Sequence, residues 1–449
     1  MTLSGQRPLV IAFAVLAASL PFARPPVFKI GAAPVQLDDL LIGVVMVWSV
    51  VTIFRKRVEW RFRVDGLLAT SLAFLLALLV SALLGKQIPL QKSLIKLAAF
   101  SAFILLPSAS QYVLRTEQDL VTVVRGWLIG SISSVTVGVA GVVGFYVDRP
   151  GVGKMLACST YGLLPSGNYP RLCAAFLNPN MHANYLTVSL ALALSCGAAI
   201  APTWVVFGLI GIGSMVAAFT LSAGMGGFAL AGAVSFLAFL EAKKRAPKAF
   251  KIAVYTAAGL AAVFFALTMI ADWVPAGDGQ VRVGERDIHF WASARPKLWA
   301  GALKTWVDHP LVGLGYGSDV SFQTDPKVLF SPDQIKALNG RPFEGKFMEA
   351  HNLWLNVGAQ SGLIGFGLFV ALVVQLMSGV PAMLRTSKEG KKLPLLPDGV
   401  FAAVVGALAY HGIFGGFEEA RHTWVLLALL TATKRVWLNS ASPSEAGRG

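Results

Sequence analysis

Over 449 residues the chain is 55% hydrophobic and only 14% charged, with a mean hydropathy of +0.65. That excludes an ordinary soluble domain, whose apolar share is nearer ~45–50%, and makes a bilayer the solvent. The net charge of +15 therefore does not mark a nucleic-acid binder; it is the Lys and Arg excess that the positive-inside bias gathers in short cytoplasmic loops.

Apolar runs near the ~20 residues needed to cross ~30 Å of hydrocarbon fall at 8–23, 35–54, 66–84, 93–114, 119–147, 180–200, 203–220, 226–240, 252–273, 360–384, 398–416 and 422–438. The expectation is an all-α polytopic membrane protein of about twelve transmembrane helices, a single integral domain over 1–449. The first run is short and resembles a signal-peptide core, but Phe22-Ala23-Arg24-Pro25-Pro26 is a poor cleavage site and more spans follow, so it reads as a retained helix. With a cytoplasmic N-terminus, the even-numbered connections should be cytoplasmic. The basic segments Arg55-Lys56-Arg57 through Arg63, Lys243-Lys244-Arg245 through Lys251, and Arg385 through Lys392 all fall there, as does the tail with Lys434 and Arg435. This parity depends on a Gly-rich turn at Ser222-Ala223-Gly224-Met225-Gly226-Gly227; one long bent helix there would invert everything downstream.

Two long polar segments, 148–179 and 274–359, then lie outside the cytoplasm, and loops that long are uncommon without a function. The second sits between helices 9 and 10 and carries Arg282, Arg286, His289, Arg295, Lys297, Lys304, His309 and His351. Within it, 293–307 reads as an amphipathic helix with Leu298, Ala302 and Trp306 along one face, which either packs on the bundle, lies along the headgroups or touches substrate. Gly313-Leu314-Gly315-Tyr316-Gly317 after His309-Pro310 reads as a tight turn. His351-Asn352 leads straight into a membrane helix, which puts that imidazole at the bilayer surface in a structural or a catalytic role. Cys158 and Cys173 share the first external segment, paired or not, and Cys196 falls inside a helix. No CxxC, HExxH, zinc-spaced set or Walker loop occurs, so no metal, nucleotide or other cofactor is expected.

Three stretches carry a family resemblance. Ala350-His351-Asn352-Leu353-Trp354-Leu355, followed by Gly362-Leu363-Ile364-Gly365, resembles the signature of the O-antigen ligase and polymerase superfamily, His-[Asn/Ser/Gln]-x9-Gly-x-x-[Gly/Thr/Tyr]. Arg171-Leu172 with Phe176-Leu177-Asn178-Pro179-Asn180 and Ala183-Asn184-Tyr185-Leu186 is similar to the family's Arg-then-Asn-Pro-Asn stretch. Arg295 through Leu298-Trp299 to His309-Pro310-Leu311-Val312-Gly313-Leu314-Gly315-Tyr316-Gly317 resembles its His-Pro-Leu-x-Gly-x-Gly segment. The chain departs from the family at Ser222-Ala223-Gly224, where Ser-Arg-Gly is usual, so one arginine often assigned to phosphate binding is missing.

The resemblance implies a glycosyltransferase C-like fold in the bacterial inner membrane. It also implies metal-independent transfer of a glycan from an undecaprenyl-diphosphate carrier to an acceptor hydroxyl on the periplasmic face. The acceptor is the lipid A core for a ligase, or a second carrier-linked glycan for a polymerase. A transporter or flippase fits less well, because the spans hold few ionisable residues. Arg forks onto phosphate oxygens and stays charged, whereas His takes up a proton near neutral pH. On that chemistry His351 is the candidate base, Arg295 the first and Arg171 the second candidate for the diphosphate, each with a structural alternative. Asn180, Asn352, Arg282, Arg286, Lys297 and Tyr316 are further candidates for substrate contact. His182, Glu418, Arg421 and His422 either assist or anchor helix ends at the headgroups.

Overall fold

The computed structural model describes residues 7–23, 26–30, 33–55, 66–85, 87–147, 157–161, 169–176, 179–220, 280–283, 286–289, 295–321, 349–386, 391, 393–415 and 421–440, with backbone alone for some residues inside these elements. Its large elements are α-helices: α1 (Arg7–Ser19), α2 (Leu37–Arg55), α3 (Gly66–Leu84), α4 (Leu90–Val113), α5 (Glu117–Tyr146), α6 (Pro179–Leu192), α7 (Thr203–Phe219), α8 (Arg295–Asp308), α9 (Leu353–Met377), α10 (Val380–Arg385), α11 (Leu396–Phe414) and α12 (Arg421–Ser440). α6 runs on through a π turn, Ala193–Gly197, to Ile200. Three short antiparallel ribbons decorate the connections: β1 (Phe28–Ile30) with β2 (Ala33–Val35), β3 (Ala157–Tyr161) with β4 (Tyr169–Leu172), and β5 (Gln280–Val283) with β6 (Arg286–His289).

Ten of the expected apolar runs coincide with described helices, and the runs at 226–240 and 252–273 lie outside the described residues. Gly66–Leu84, Leu90–Val113, Glu117–Tyr146 and the α9–α10 stretch Leu353–Arg385 are long and apolar enough to cross a membrane. The 19 residues of α3 alone rise about 28 Å. Arg7–Ser19 and Thr203–Phe219 are apolar but shorter. Large apolar side chains such as Val47, Leu76, Ile129, Phe207 and Val374 point outward, where lipid rather than water can accommodate them.

Helix ends sort into two poles. At one, Lys434 near the end of α12 donates to the carbonyls of Gln375, Leu376 and Ser378 at 3.3, 2.5 and 2.8 Å, and Arg435 donates to the carbonyl of Gln111 at the end of α4. Lys391 lies over the Trp437 ring, and the Leu393 N–H donates to Glu117 at the start of α5. This pole gathers Lys391, Lys434 and Arg435, which the sequence places on one expected side. At the other, the start of α12 is tied to the start of α2 by Arg421, whose guanidinium lies 3.3 Å from Asp38 and 3.1 Å from Asp39. Side by side run α1 with α5, α4 with α12, α3 with α9, and α6 with α11.

Candidate functional site

The site is built where α9 begins and where it is broken. Gly362 lies inside α9 with φ 66° and ψ −168°, a region essentially reserved for glycine. Into the break fits the loop 309–317. The N–H groups of Leu314 and Gly315 donate to the carbonyls of Ala359 and Gln360 at 2.8 and 3.1 Å, while those of Leu363 and Ile364 donate back to the carbonyls of Pro310 and Leu311 at 2.7 and 3.3 Å. The interruption thus frees helix groups that the loop then satisfies, as backbone at membrane depth requires. The Ser81 hydroxyl of α3 also donates to the Gln360 carbonyl at 2.6 Å, and Gln360 Nε2 donates to the Ser318 carbonyl at 3.0 Å. Gly313, at φ 72°, leaves no room for a side chain: a Cβ there would lie 2.3 Å from the Gln360 carbonyl, and one on Gly362 would lie 2.2 Å from that of Leu311. The two glycines are the two halves of one contact.

α8 packs on this unit through the face expected from its sequence. Leu298, Ala302 and Thr305 are buried, and the Trp306 ring lies 4.8 Å from that of Phe366. Thr305 Oγ1 donates to the Val320 carbonyl at 2.7 Å and Ser321 Oγ to that of Leu298 at 2.8 Å. Ala302, Val320, Ala350 and Ala359 form a small core of their own, so α8 is seated against the residue that precedes His351. Arg295 begins α8, seven residues or about 10 Å of helix rise from Ala302.

His351 itself has φ 49°, a left-handed conformation that costs a side-chain-bearing residue about 1–3 kcal/mol. Asn352 and Asn356 hold it there. Asn352 caps α9, its Oδ1 accepting the Leu355 N–H at 3.1 Å, and the Asn356 N–H donates to the Asn352 carbonyl at 2.9 Å. Asn356 Oδ1 accepts the Ala350 N–H at 3.0 Å, and its Nδ2 donates to Glu349 Oε1 at 2.9 Å. The imidazole that results is 39% exposed, with Nδ1 at 3.9 Å from Glu349 Oε2. Trp354, in the same first turn, lies 3.1 Å from where a Cβ on Gly412 of α11 would be, which joins this turn to the neighbouring helix.

Beyond Gly412 a polar cluster is buried among α5, α6, α11 and α12. Asn184 Nδ2 lies 2.8 Å from His411 Nε2, which also lies 3.0 Å from Thr423 Oγ1. Ser134 Oγ is 3.1 Å from His182 Nε2. The His422 ring stands edge-on to Tyr185 at 6.0 Å and 5.9 Å from His411. On the loop's other flank Lys96 of α4 donates to the Gly317 carbonyl at 3.0 Å. Asp319 is exposed as a residue, yet its carboxyl loses enough solvent to rise above the ordinary carboxylate range, against the lowering pull of Lys96 and then Lys92.

Of the residues singled out in the sequence, the structure brings together the His351 turn, the 309–317 loop and the helix that Arg295 opens. Tyr316 is fully buried and belongs to the packing of the loop. Asn352 is a helix cap, and Asn180 is half-buried in the first turn of α6. Arg171 sits on β4 opposite Ser159, and Arg282 on β5 opposite Asp287 of β6, which also carries Arg286. For these three arginines, Arg295 and Lys297 only the backbone is described. Ala223 and Glu418 lie outside the described residues. Cys173, next to β4, is disulfide-bonded, and Cys196 is free and buried. Glu349, Asn356, His411 and Thr423 were not singled out in the sequence, and Asn184 entered only as part of a family-like stretch; polar residues inside apolar runs were the available signal for Asn184, His411 and Thr423.

The profile of the family described as O-antigen ligase matches residues 204–370, which include α7, α8, the inserted loop and the first part of α9. No curated protein matches the chain. Residues 204–370 are thus similar to the O-antigen ligase family, within a chain whose described helices include four stretches long and apolar enough to cross a membrane.

Proposed function

We propose that the protein is a metal-independent glycosyltransferase of the ligase type. It moves a glycan from an undecaprenyl-diphosphate carrier to a hydroxyl of the lipid A core at the periplasmic face of the inner membrane. The observation that carries this reading is His351: an imidazole in a strained left-handed turn, held by a cap and a clasp, and left 39% exposed at the entrance to a membrane helix. Strain that the surroundings enforce, with the side chain kept accessible, is what a reacting group needs and a packing residue does not. His351 takes the acceptor's proton as the new glycosidic bond forms. The diphosphate leaves with the electron pair of the broken bond, and fixed cations suffice to stabilise it. Arg295 at the start of α8 supplies a planar fork to that charge, with Arg171 second.

Substitution of His351 tests the reading. With purified protein in detergent, an undecaprenyl-diphosphate-linked glycan as donor and lipid A core as acceptor, His351→Ala is expected to lower turnover by roughly 10²–10⁴ with the folded yield unchanged. His351→Gln keeps hydrogen bonding but takes no proton at neutral pH, and is expected to be as poor. Near-normal transfer by His351→Gln rules out the base. A polymerase of the same superfamily is the second reading; it predicts that the donor alone is lengthened and the lipid A core ignored.

A further inference from the structure

Glu349 is placed against His351 by contacts that capping α9 does not require. Asn356 reaches back across the first turn, donating to Glu349 Oε1 at 2.9 Å and accepting the Ala350 N–H at 3.0 Å. One amide side chain thereby fixes both the carboxylate and the backbone between it and the histidine. The second carboxylate oxygen is left 3.9 Å from His351 Nδ1. That is too long for a hydrogen bond and within reach of a charge pair, so the contact strengthens when the ring becomes charged. Glu349 thus stands on the Nδ1 side of the ring.

We propose that Glu349 is a positioning residue for His351, aligning the ring and stabilising the imidazolium that forms during transfer. The inference rests on His351 being the base. In the step, the acceptor O–H proton passes to His351 Nε2 and the oxygen's electron pair forms the bond to the sugar's anomeric carbon. The bond from that carbon to the diphosphate oxygen breaks with its pair going to the diphosphate, and the imidazolium then releases its proton to water. Positive charge on the ring is absent before the step and present during it. A carboxylate held beside Nδ1 therefore interacts more strongly with the transition state than with the ground state. With side chains 39% and 26% exposed, solvent screens the pair and keeps its effect well below that of a fully buried one.

Glu349→Gln keeps the size and the oxygen that Asn356 needs, and removes the charge. In the assay described above it is expected to lower kcat by about tenfold at unchanged donor KM. The same change in a His351→Ala background is expected to cost nothing further, because Glu349 acts only through the histidine. Normal kcat in Glu349→Gln, or an equal additional loss in the double variant, overturns the role. Should Glu349→Gln give too little folded protein, Glu349→Asp draws the carboxylate back by one methylene; partial loss of kcat supports the pairing and full turnover overturns it. Failure of the base reading is separate: it shows as full turnover in His351→Ala, whatever Glu349→Gln does.

Discussion

Arg295 opens α8 with Lys297 in the same turn, at a helix end where free N–H groups and the helix dipole favour an anion. On the proposed reading, Ala223 in place of the arginine that the resembled family usually shows would leave fewer guanidinium groups to share the diphosphate. Geometry at Arg295 should therefore matter as much as charge. A lysine is a point charge on a flexible stem and does not reproduce a planar fork. Arg295→Lys is accordingly expected to lose nearly as much transfer as Arg295→Ala, both by about tenfold or more at subsaturating donor. Full activity in the lysine variant removes Arg295 from the diphosphate. At this scale the sequence was informative about residue type and silent about partners. His351 stands out as a candidate through its place before a helix start and the family signature that it resembles, whereas Glu349 and Asn356, five residues beyond His351, enter only through a turn that no spacing rule describes.

Among the elements, the sequence showed the amphipathic face of α8 and the start of α9, and the structure seats that face on the bundle. Helical periodicity does not reveal that Gly313 and Gly362 meet, because the contact is between two backbones with no side chain to leave a pattern. The glycines of the signature around 362 therefore build a backbone contact beside the turn of His351. Gly362→Ala forces a side chain into the glycine-only region, about 1–3 kcal/mol by itself, and sets its Cβ 2.2 Å from the Leu311 carbonyl. The expected outcome is a large loss of monodisperse protein in detergent. Gly367→Ala, on the same helix with nothing within 4 Å of its Cβ, is the control and is expected to be neutral or slightly stabilising, since alanine is the better helix former. Equal yields for the two variants dismiss the loop–helix contact as a requirement for folding.

At the scale of the whole molecule, the described helix ends tied by Lys434, Arg435, Lys391 and Arg421 are in each case those that an alternating path through a bilayer places on one side. Lys434, Arg435 and Lys391 meet at one pole, while Arg421, Asp38 and Asp39 lie at the other. Sequence hydropathy located helices at the ten described runs, and four of the described stretches are long and apolar enough to cross a membrane with their backbone hydrogen bonds satisfied internally. It was weakest at 203–240, where short runs meet at a Gly-rich segment and length no longer separates one helix from two. The sidedness of residues 274–359, and with it the proposed periplasmic place of Arg295 and His351, depends on that segment being a turn. Single cysteines at Gly277 and Asp333, both outside the described residues, test it with a membrane-impermeant thiol reagent, the parent protein serving as blank. Cys173 is already disulfide-bonded and Cys196 buried, so native signal from these two should be low. Both new thiols are expected to react in intact spheroplasts, whereas Lys244→Cys, in a basic connection expected on the cytoplasmic side, should react only after lysis. The reverse pattern would mean that one bent helix spans 203–240, and would move His351, Arg295 and the acceptor site to the cytoplasmic side of the membrane.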